Sequence, residues 1–302
     1  MRKVLLASTA LVALGSVSAM AADITISGST EMVLDMGDSA EADDSGFAVE
    51  HDIAITFSNT TDSGISMSMT YGIDDNGDPD DAETTISGDF GELRYTQAAD
   101  EHALNDVDIE GGATSEEVFT RTTAAALNSI GGIGNNHMTY VLPSLVDGLY
   151  VAGSVANAVD ADDDAIDGED ASSWAVRYST GGLTAVYGQL KGHVVTTTHV
   201  GVAATFGDIG IQLAQNTDDT AGLDNKSVNI GLTYTMGDIV LGYESEAAED
   251  GVTAGNDEKH TSVGATYTIA PGLSASLTMA ESDVIDGNTD TATTSIGLHV
   301  AF

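Results

Sequence analysis

Cysteine is absent from all 302 residues, so no disulfide can brace this chain. An exported protein without that brace must rely on a large core or on a closed backbone ladder. Positive charge is nearly missing too. Lys and Arg number 8 against 48 Asp and Glu, for a formal net charge of −40. A chain so negative repels nucleic acid and anionic lipid surfaces, which excludes both as attractive partners. It favours divalent cations, cationic solutes and a salty medium, where screening shortens the self-repulsion. Long apolar runs are also lacking. Past the N-terminus no stretch approaches the length of a transmembrane helix. Disorder is the common fate of acidic chains, but 42% of these residues are hydrophobic and they are regularly spaced.

Catalytic signatures are missing as well. The seven histidines form no H-E-x-x-H, and there is no G-x-S-x-G. Gly111-Gly112 and Gly131-Gly132 have no lysine after them, so neither pair opens a phosphate-cradling loop. No enzyme is expected and no cofactor is required.

What is present begins with an export signal over residues 1–21. Arg2 and Lys3 give a positive start, Val4 to Val17 is mostly apolar, and Ala19-Met20-Ala21 is a small-residue cleavage site. The remaining 22–302 read as one domain, and its spacing is period 2 nearly throughout. Val228, Ile230, Leu232 and Tyr234 alternate with Asn229, Gly231 and Thr233, and Val263, Ala265, Tyr267 and Ile269 with Gly264, Thr266 and Thr268. Each such run has one apolar face and one small or polar face, which marks a strand. Sixteen runs can be counted, near 23–34, 47–58, 64–73, 82–89, 91–97, 135–142, 148–158, 171–179, 182–190, 197–206, 208–216, 226–235, 237–246, 259–269, 272–281 and 291–302.

The connections alternate between long and short. Long ones include Asp35–Gly46, Asp74–Asp81, Ala98–Gly134, Val159–Asp170, Thr217–Asn225, Ala247–Glu258 and Ser282–Asp290. Tight ones include Phe90-Gly91, Gly207-Asp208, Met236-Gly237-Asp238 and Ala270-Pro271. Such alternation belongs to an all-β, antiparallel, up-and-down barrel of about sixteen strands; a Greek-key sandwich has no reason for it. Most acid falls in the long loops, so the end that carries them is strongly negative.

Three features turn the apolar face outward, toward the lipid of the cell outer membrane. The chain is exported. Charges at Glu31, Glu50, Asp52, Glu92, Arg94, Arg177 and Glu244 lie in the phase opposite to the apolar residues, and a dry core would penalise them. Phe57, Phe90, Tyr178, Phe206, Tyr234, Tyr267 and Phe302 sit beside the short turns or the terminus, where an interfacial girdle belongs. Strands one to three use Ile and Met instead of aromatics, which offers strands one to four and sixteen as an oligomer contact.

The chain resembles a known family, the trimeric sixteen-stranded porins of alphaproteobacteria, of the Rhodobacter type. The carrying segments are MRKVLLASTALVALGSVSAMA followed by DITISGSTEMVLDM, then GDFGELRYTQAAD, NNHMTYVLPSLVDGLYVAGSVA and the final GLHVAF. The resemblance implies a homotrimer in outer-membrane lipid, inserted by the barrel-assembly machinery. It implies that the long loop after strand five folds inward and constricts the pore. That loop carries Asp100, Glu101, Asp106, Asp108, Glu110, Glu116, Glu117 and Arg121. The alternating Ile296, Leu298, Val300 and Phe302 look like the family's assembly signal. Related porins carry bound calcium, which makes Asp74, Asp75, Asp78, Asp80 and Asp81 a place to look for it. That stretch does not fit the helical calcium loop, since Pro79 stands where the motif needs Gly and Thr85 where it needs Glu.

One departure matters. The family usually sets a cluster of arginines against the acidic loop. Here the basic residues after the leader are Arg94, Arg121, Arg177, Lys191, Lys226 and Lys259, and only Arg94 and Arg177 point inward on strands. The expected function is a water-filled, cation-preferring channel for small hydrophilic solutes and ions. Two alternatives stand beside it: a substrate-selective channel, and a secreted acidic β-rich surface or adhesive protein.

Overall fold

The computed structural model describes residues 23–37, 46–73, 79–98, 101–109, 130, 132–133, 136–156, 171–192, 195–220, 223–249, 258–284 and 291–302. Sixteen strands follow one another: β1 (Asp23–Gly37), β2 (Gly46–Thr60), β3 (Ser66–Ile73), β4 (Pro79–Gly88), β5 (Gly91–Thr96), β6 (His137–Val141), β7 (Leu149–Ala156), β8 (Ala171–Thr180), β9 (Leu183–Lys191), β10 (Val195–Phe206), β11 (Ile209–Thr220), β12 (Leu223–Met236), β13 (Ile239–Glu249), β14 (Glu258–Ala270), β15 (Leu273–Val284) and β16 (Thr291–Ala301). Every strand pairs antiparallel with its sequence neighbours. β16 returns to β1 and closes the barrel, with Met32 opposite Leu298 and Leu34 opposite Ile296. Closure leaves no unpaired edge, which is what a sheet needs in order to cross lipid. Among the described residues no helix is long and apolar enough to span a membrane.

The count of sixteen matches the periodicity, but several boundaries differ. The stretch 217–225 is not a long loop: β11 continues to Thr220 and β12 starts at Leu223. Asp218 and Asp219 pair with Asn225 and Asp224 as ordinary ladder partners. Similarly, β4 begins at Pro79, so Asp80 and Asp81 belong to a strand. In both places the hairpin runs past the apolar band on polar residues, where alternation carries no contrast. The tight turns at Gly207-Asp208 and Gly237-Asp238 fall where the sequence places them, and those at Asp89-Phe90 and Pro271-Gly272 are displaced by one residue. Gly207 and Gly237 each begin a two-residue turn at φ +61°, a backbone conformation open to glycine and strained for other residues.

The apolar phase faces outward. Ile230, Leu232, Tyr234, Val263, Tyr267, Ile269, Met69 and Ile296 are all exposed on the barrel's outer surface. The aromatics beside the short turns, from Phe57 to Phe302, are exposed on that surface too. Trp174 meets Tyr187 edge to face, ring centroids 5.4 Å apart.

The inward face is not uniformly polar. Ala156, Ala171, Ala175, Val186, Leu190 and Ala214 point inward and are buried in one cluster with Leu104, Val107, Ile109, Ile130 and Ile133 of the segment between β5 and β6. This small core lies inside the barrel, against β7–β11.

Candidate functional site: the lumen and its wall-bound segment

Residues 101–109 follow β5 and lie on the inner wall. A short 3-10 turn, Asn105–Val107, sits at their centre. The wall accommodates them with missing side chains. A Cβ at Gly188 would fall 2.5 Å from Leu104 Cδ1, and one at Gly201 3.0 Å from Ile109 Cβ. Two glycines on adjacent strands thus open the space into which Leu104 and Ile109 pack.

Polar contacts fix the same segment from several strands. Ala103 N–H donates to Ser154 Oγ on β7 at 2.8 Å. His137 Nε2 on β6 donates to the Glu101 carbonyl at 2.7 Å. Thr96 Oγ1 donates to Glu101 Oε2 at 2.8 Å. His199 on β10 is fully buried. Its Nδ1 donates to Asn216 Oδ1 at 2.5 Å, while its Nε2 receives the Ile109 N–H at 3.3 Å and lies 3.2 Å from Asp108 Oδ1.

Asp106 is the hub. Arg94 on β5 grips its carboxylate with both terminal nitrogens, Nη1 donating to Oδ1 at 3.0 Å and Nη2 to Oδ2. Tyr150 on β7 donates its hydroxyl to Oδ2 at 2.5 Å. Arg177 on β8 donates to the Asp106 carbonyl at 3.2 Å and lies 4.8 Å over the Tyr150 ring. Arg94 is further held by Glu92 at 3.2 Å and Glu83 at 4.0 Å. A two-pronged guanidinium–carboxylate pair with few competing waters is among the stronger polar contacts a protein makes. Both inward-pointing arginines are therefore engaged by one loop residue.

The other wall residues singled out in the sequence are spread around the lumen. Glu31 stands directly between Glu50 and His299 across the ladder. Ser29 donates to Asp52 Oδ2 at 3.3 Å. Glu244 receives the Asn229 amide at 2.5 Å. Lys191, Lys226 and Lys259 fall in the phase opposite to the inward Leu190, Ser227 and His260. Asp100, Glu110, Glu116, Glu117 and Arg121 lie outside the described residues, as do Asp74, Asp75 and Asp78. Among the described residues no three His, Asp or Glu side chains gather closely enough to hold a metal ion.

The contributors not singled out in the sequence include Tyr150, His199 and the apolar inner patch. Only the patch left a trace, because β9 reads Leu183, Ala185 and Tyr187 on one face and Val186 and Leu190 on the other. A strand apolar on both faces is covered on both.

A closed sixteen-stranded antiparallel barrel, apolar outside and charged within, with a segment folded onto its inner wall, defines a porin-type membrane channel. The model of the Gram-negative porins matches residues 7–295, and the chain belongs to that family. It is thus an outer-membrane channel protein and not an enzyme. No curated protein matches the chain in sequence. Among solved structures, a porin refined at 1.8 Å resolution superposes with a TM-score of 0.71 at 17% identity, covering 93% of this chain and 100% of that one. The anion-selective porin from Comamonas acidovorans gives 0.70 at 13% identity, with the same coverages. OmpT of Vibrio cholerae in its trimer form gives 0.69 at 16%, again with 93% and 100% covered. At such identities the likeness speaks for the fold alone.

Proposed function

We propose that this porin is a cation-preferring diffusion channel for small hydrophilic solutes and ions. The observation that carries the reading is the capture of Arg94 and Arg177 by Asp106. With both inward arginines engaged, Glu31, Glu50, Asp52 and Glu244 face a lumen in which the described strands offer no further inward lysine or arginine. Rings of carboxylate in a wet pore raise local cation concentration and repel anions. A neighbour described as anion-selective shares this fold, so the sign of selectivity belongs to the side chains. Reversal potentials across a planar bilayer under a KCl gradient test the reading. Cation preference is expected, and anion preference overturns it.

The loop between β5 and β6 is the constriction in this proposal. Asp100, Glu101, Asp106, Asp108, Glu110, Glu116, Glu117 and Arg121 set what passes. The assembly is a homotrimer, as in the trimer form of OmpT, with β1–β4 and β16 at the contact. Disulfide crosslinking of cysteines introduced at Met67 and Ile296 tests it. Residues 1–21 are a leader removed on export, so sequencing of the mature protein should begin at Ala22. The barrel-assembly machinery reads Ile296, Leu298, Val300 and Phe302. Calcium at Asp74, Asp75, Asp78, Asp80 and Asp81 is the finer part of the proposal, since hard divalent ions take roughly six to eight oxygens. Retention of radiocalcium by the folded barrel, lost when these aspartates become asparagines, tests that part.

A further inference from the structure

The outer face of β1 and β2 differs from the rest of the barrel in two ways. The first is its extent. On β9 the outward phase is apolar at Leu183, Ala185 and Tyr187 and turns polar at Gln189. β11 turns polar at Gln215 after Leu213, and β14 at Thr261 after Val263. β2 instead carries outward apolar residues from Phe57 to Phe47, and β1 from Ile24 to Met36. A bilayer has one thickness around a barrel. A face that stays apolar beyond the height at which other strands turn polar is matched to something besides lipid.

The second difference is one interruption within that face. Thr30 and His51 are cross-strand partners in the outward phase, with Thr30 Oγ1 3.0 Å from His51 Nδ1. Apolar residues flank them on both sides: Val49 and Ile53 along β2, Val300 across from Thr30 on β16. The imidazole is exposed. An ionisable side chain inside an apolar outer surface is costly against lipid and points to a function. Its chain neighbours Glu50 and Asp52 point to the lumen. β3 ends at Ile73, opposite Ile53, and so brings nothing beside it. The carboxyl end at Phe302 lies across β1, where its N–H meets Gly28 O. Among the described outward side chains of β1, β2, β3 and β16 there is no carboxylate, lysine or arginine. Tyr71, opposite Ile55, is the other one that can ionise, and phenols carry no charge in acid.

We infer that a second copy of this chain seats on the β1–β2 outer face and covers Thr30 and His51, and that protonation of His51 weakens this contact. The inference rests on the homotrimer reading and adds a chemical control to it. A neutral imidazole engages Thr30 with one nitrogen and offers the other to the partner copy. An imidazolium finds no counter-charge on these rows, and an unpaired cation between apolar faces is unfavourable. In a separated subunit the same cation is open to its surroundings. The contact is therefore strongest where histidine is neutral and weakens as pH falls through the range of about 8 to 5.

Sedimentation of the folded, detergent-solubilised protein at about pH 8 and about pH 5 reads the trimer fraction. Parent trimers should dissociate more readily at the lower pH, the dissociation constant rising about tenfold per pH unit for each proton taken up. His51→Gln keeps a hydrogen-bonding side chain that cannot charge, and should stay trimeric at both values. His51→Arg is charged at both and should be weakened at both, with heat-modifiable migration confirming the barrel. The glutamine variant keeps the test decisive if the arginine variant does not fold. Parent trimers indifferent to pH, or a pH response unchanged in His51→Gln, overturn the role of His51 and leave the homotrimer standing. Parent monomers at every pH would instead remove the homotrimer reading, and this inference with it.

Discussion

Asp106 and Arg94 are joined by a two-pronged ion pair, with Nη1 3.0 Å from Oδ1, across the gap between the wall-bound segment and β5. The pair performs two tasks. It fastens the segment to the wall, and it offsets one of the two inward-pointing arginine charges on the described strands. Asp106→Asn breaks the pair and frees Arg94 and Tyr150 together. Cation preference should fall, because a positive group is uncovered and a negative one removed. Arg94→Gln has the opposite sign and should raise it. Reversal potentials of the two variants under one KCl gradient check both directions, and shifts of the same sign would disprove the pairing.

The fit of Ile109 against Gly201 gives a prediction independent of charge. A Cβ at Gly201 would lie 2.9 Å from Val186 Cγ2 and 3.0 Å from Ile109 Cβ. Gly201→Val cannot be accommodated without moving the segment, at about 1–3 kcal/mol for overpacking. The barrel ladder does not depend on that contact. Open-channel current should become noisier and conductance should change, while heat-modifiable migration stays as in the parent. A parent-like current trace would show that the segment does not sit in the conduction path.

A matched pair of substitutions reads out which face meets lipid. Leu232→Arg places a charge on the outer surface, at a cost of about 2–4 kcal/mol near the bilayer midplane. Ser68→Arg places the same charge inward, beside Thr85. Urea unfolding in lipid vesicles should find Leu232→Arg strongly destabilised and Ser68→Arg close to the parent. Reversal potentials should show the reverse sensitivity. Equal destabilisation would contradict the assigned phases.

The same contrast between faces decides which parts of the barrel are legible in the sequence. Alternation at Val228–Tyr234 or Val263–Ile269 is legible because lipid and water are different solvents on two sides of one strand. Near the long-loop end both sides are wet, so β11 and β12 run on through Asp218, Asp219 and Asp224 without a signal. The wall-bound segment is harder still. Its carboxylates can be enumerated, yet nothing periodic says that Asp106 turns to Arg94 or that Asp108 turns to His199. Those directions follow from tertiary packing of Leu104 and Ile109 into spaces left by Gly188 and Gly201.

The last prediction separates assembly from transport. Phe302 is 82% exposed, and its backbone N–H donates to Gly28 O at 2.9 Å. Its ring therefore adds little to packing within the subunit, and it stands far along the chain from every residue that touches the wall-bound segment. Deleting Phe302 removes one closing hydrogen bond, about 1 kcal/mol, against a ladder in which β1 and β16 are paired from Ser29–Ala301 to Gly37–Thr293. Folded stability should barely change. If the terminal aromatic is a recognition signal, however, the amount of protein that reaches the outer membrane should drop sharply. Channels that do insert should keep the parent's reversal potential, because the lumen charges are untouched. Quantifying heat-modifiable barrel in membrane fractions, beside bilayer recordings of the surviving channels, checks both halves. Normal insertion would strip Phe302 of its assembly role, and an altered reversal potential would mean that this end of the barrel also shapes the pore.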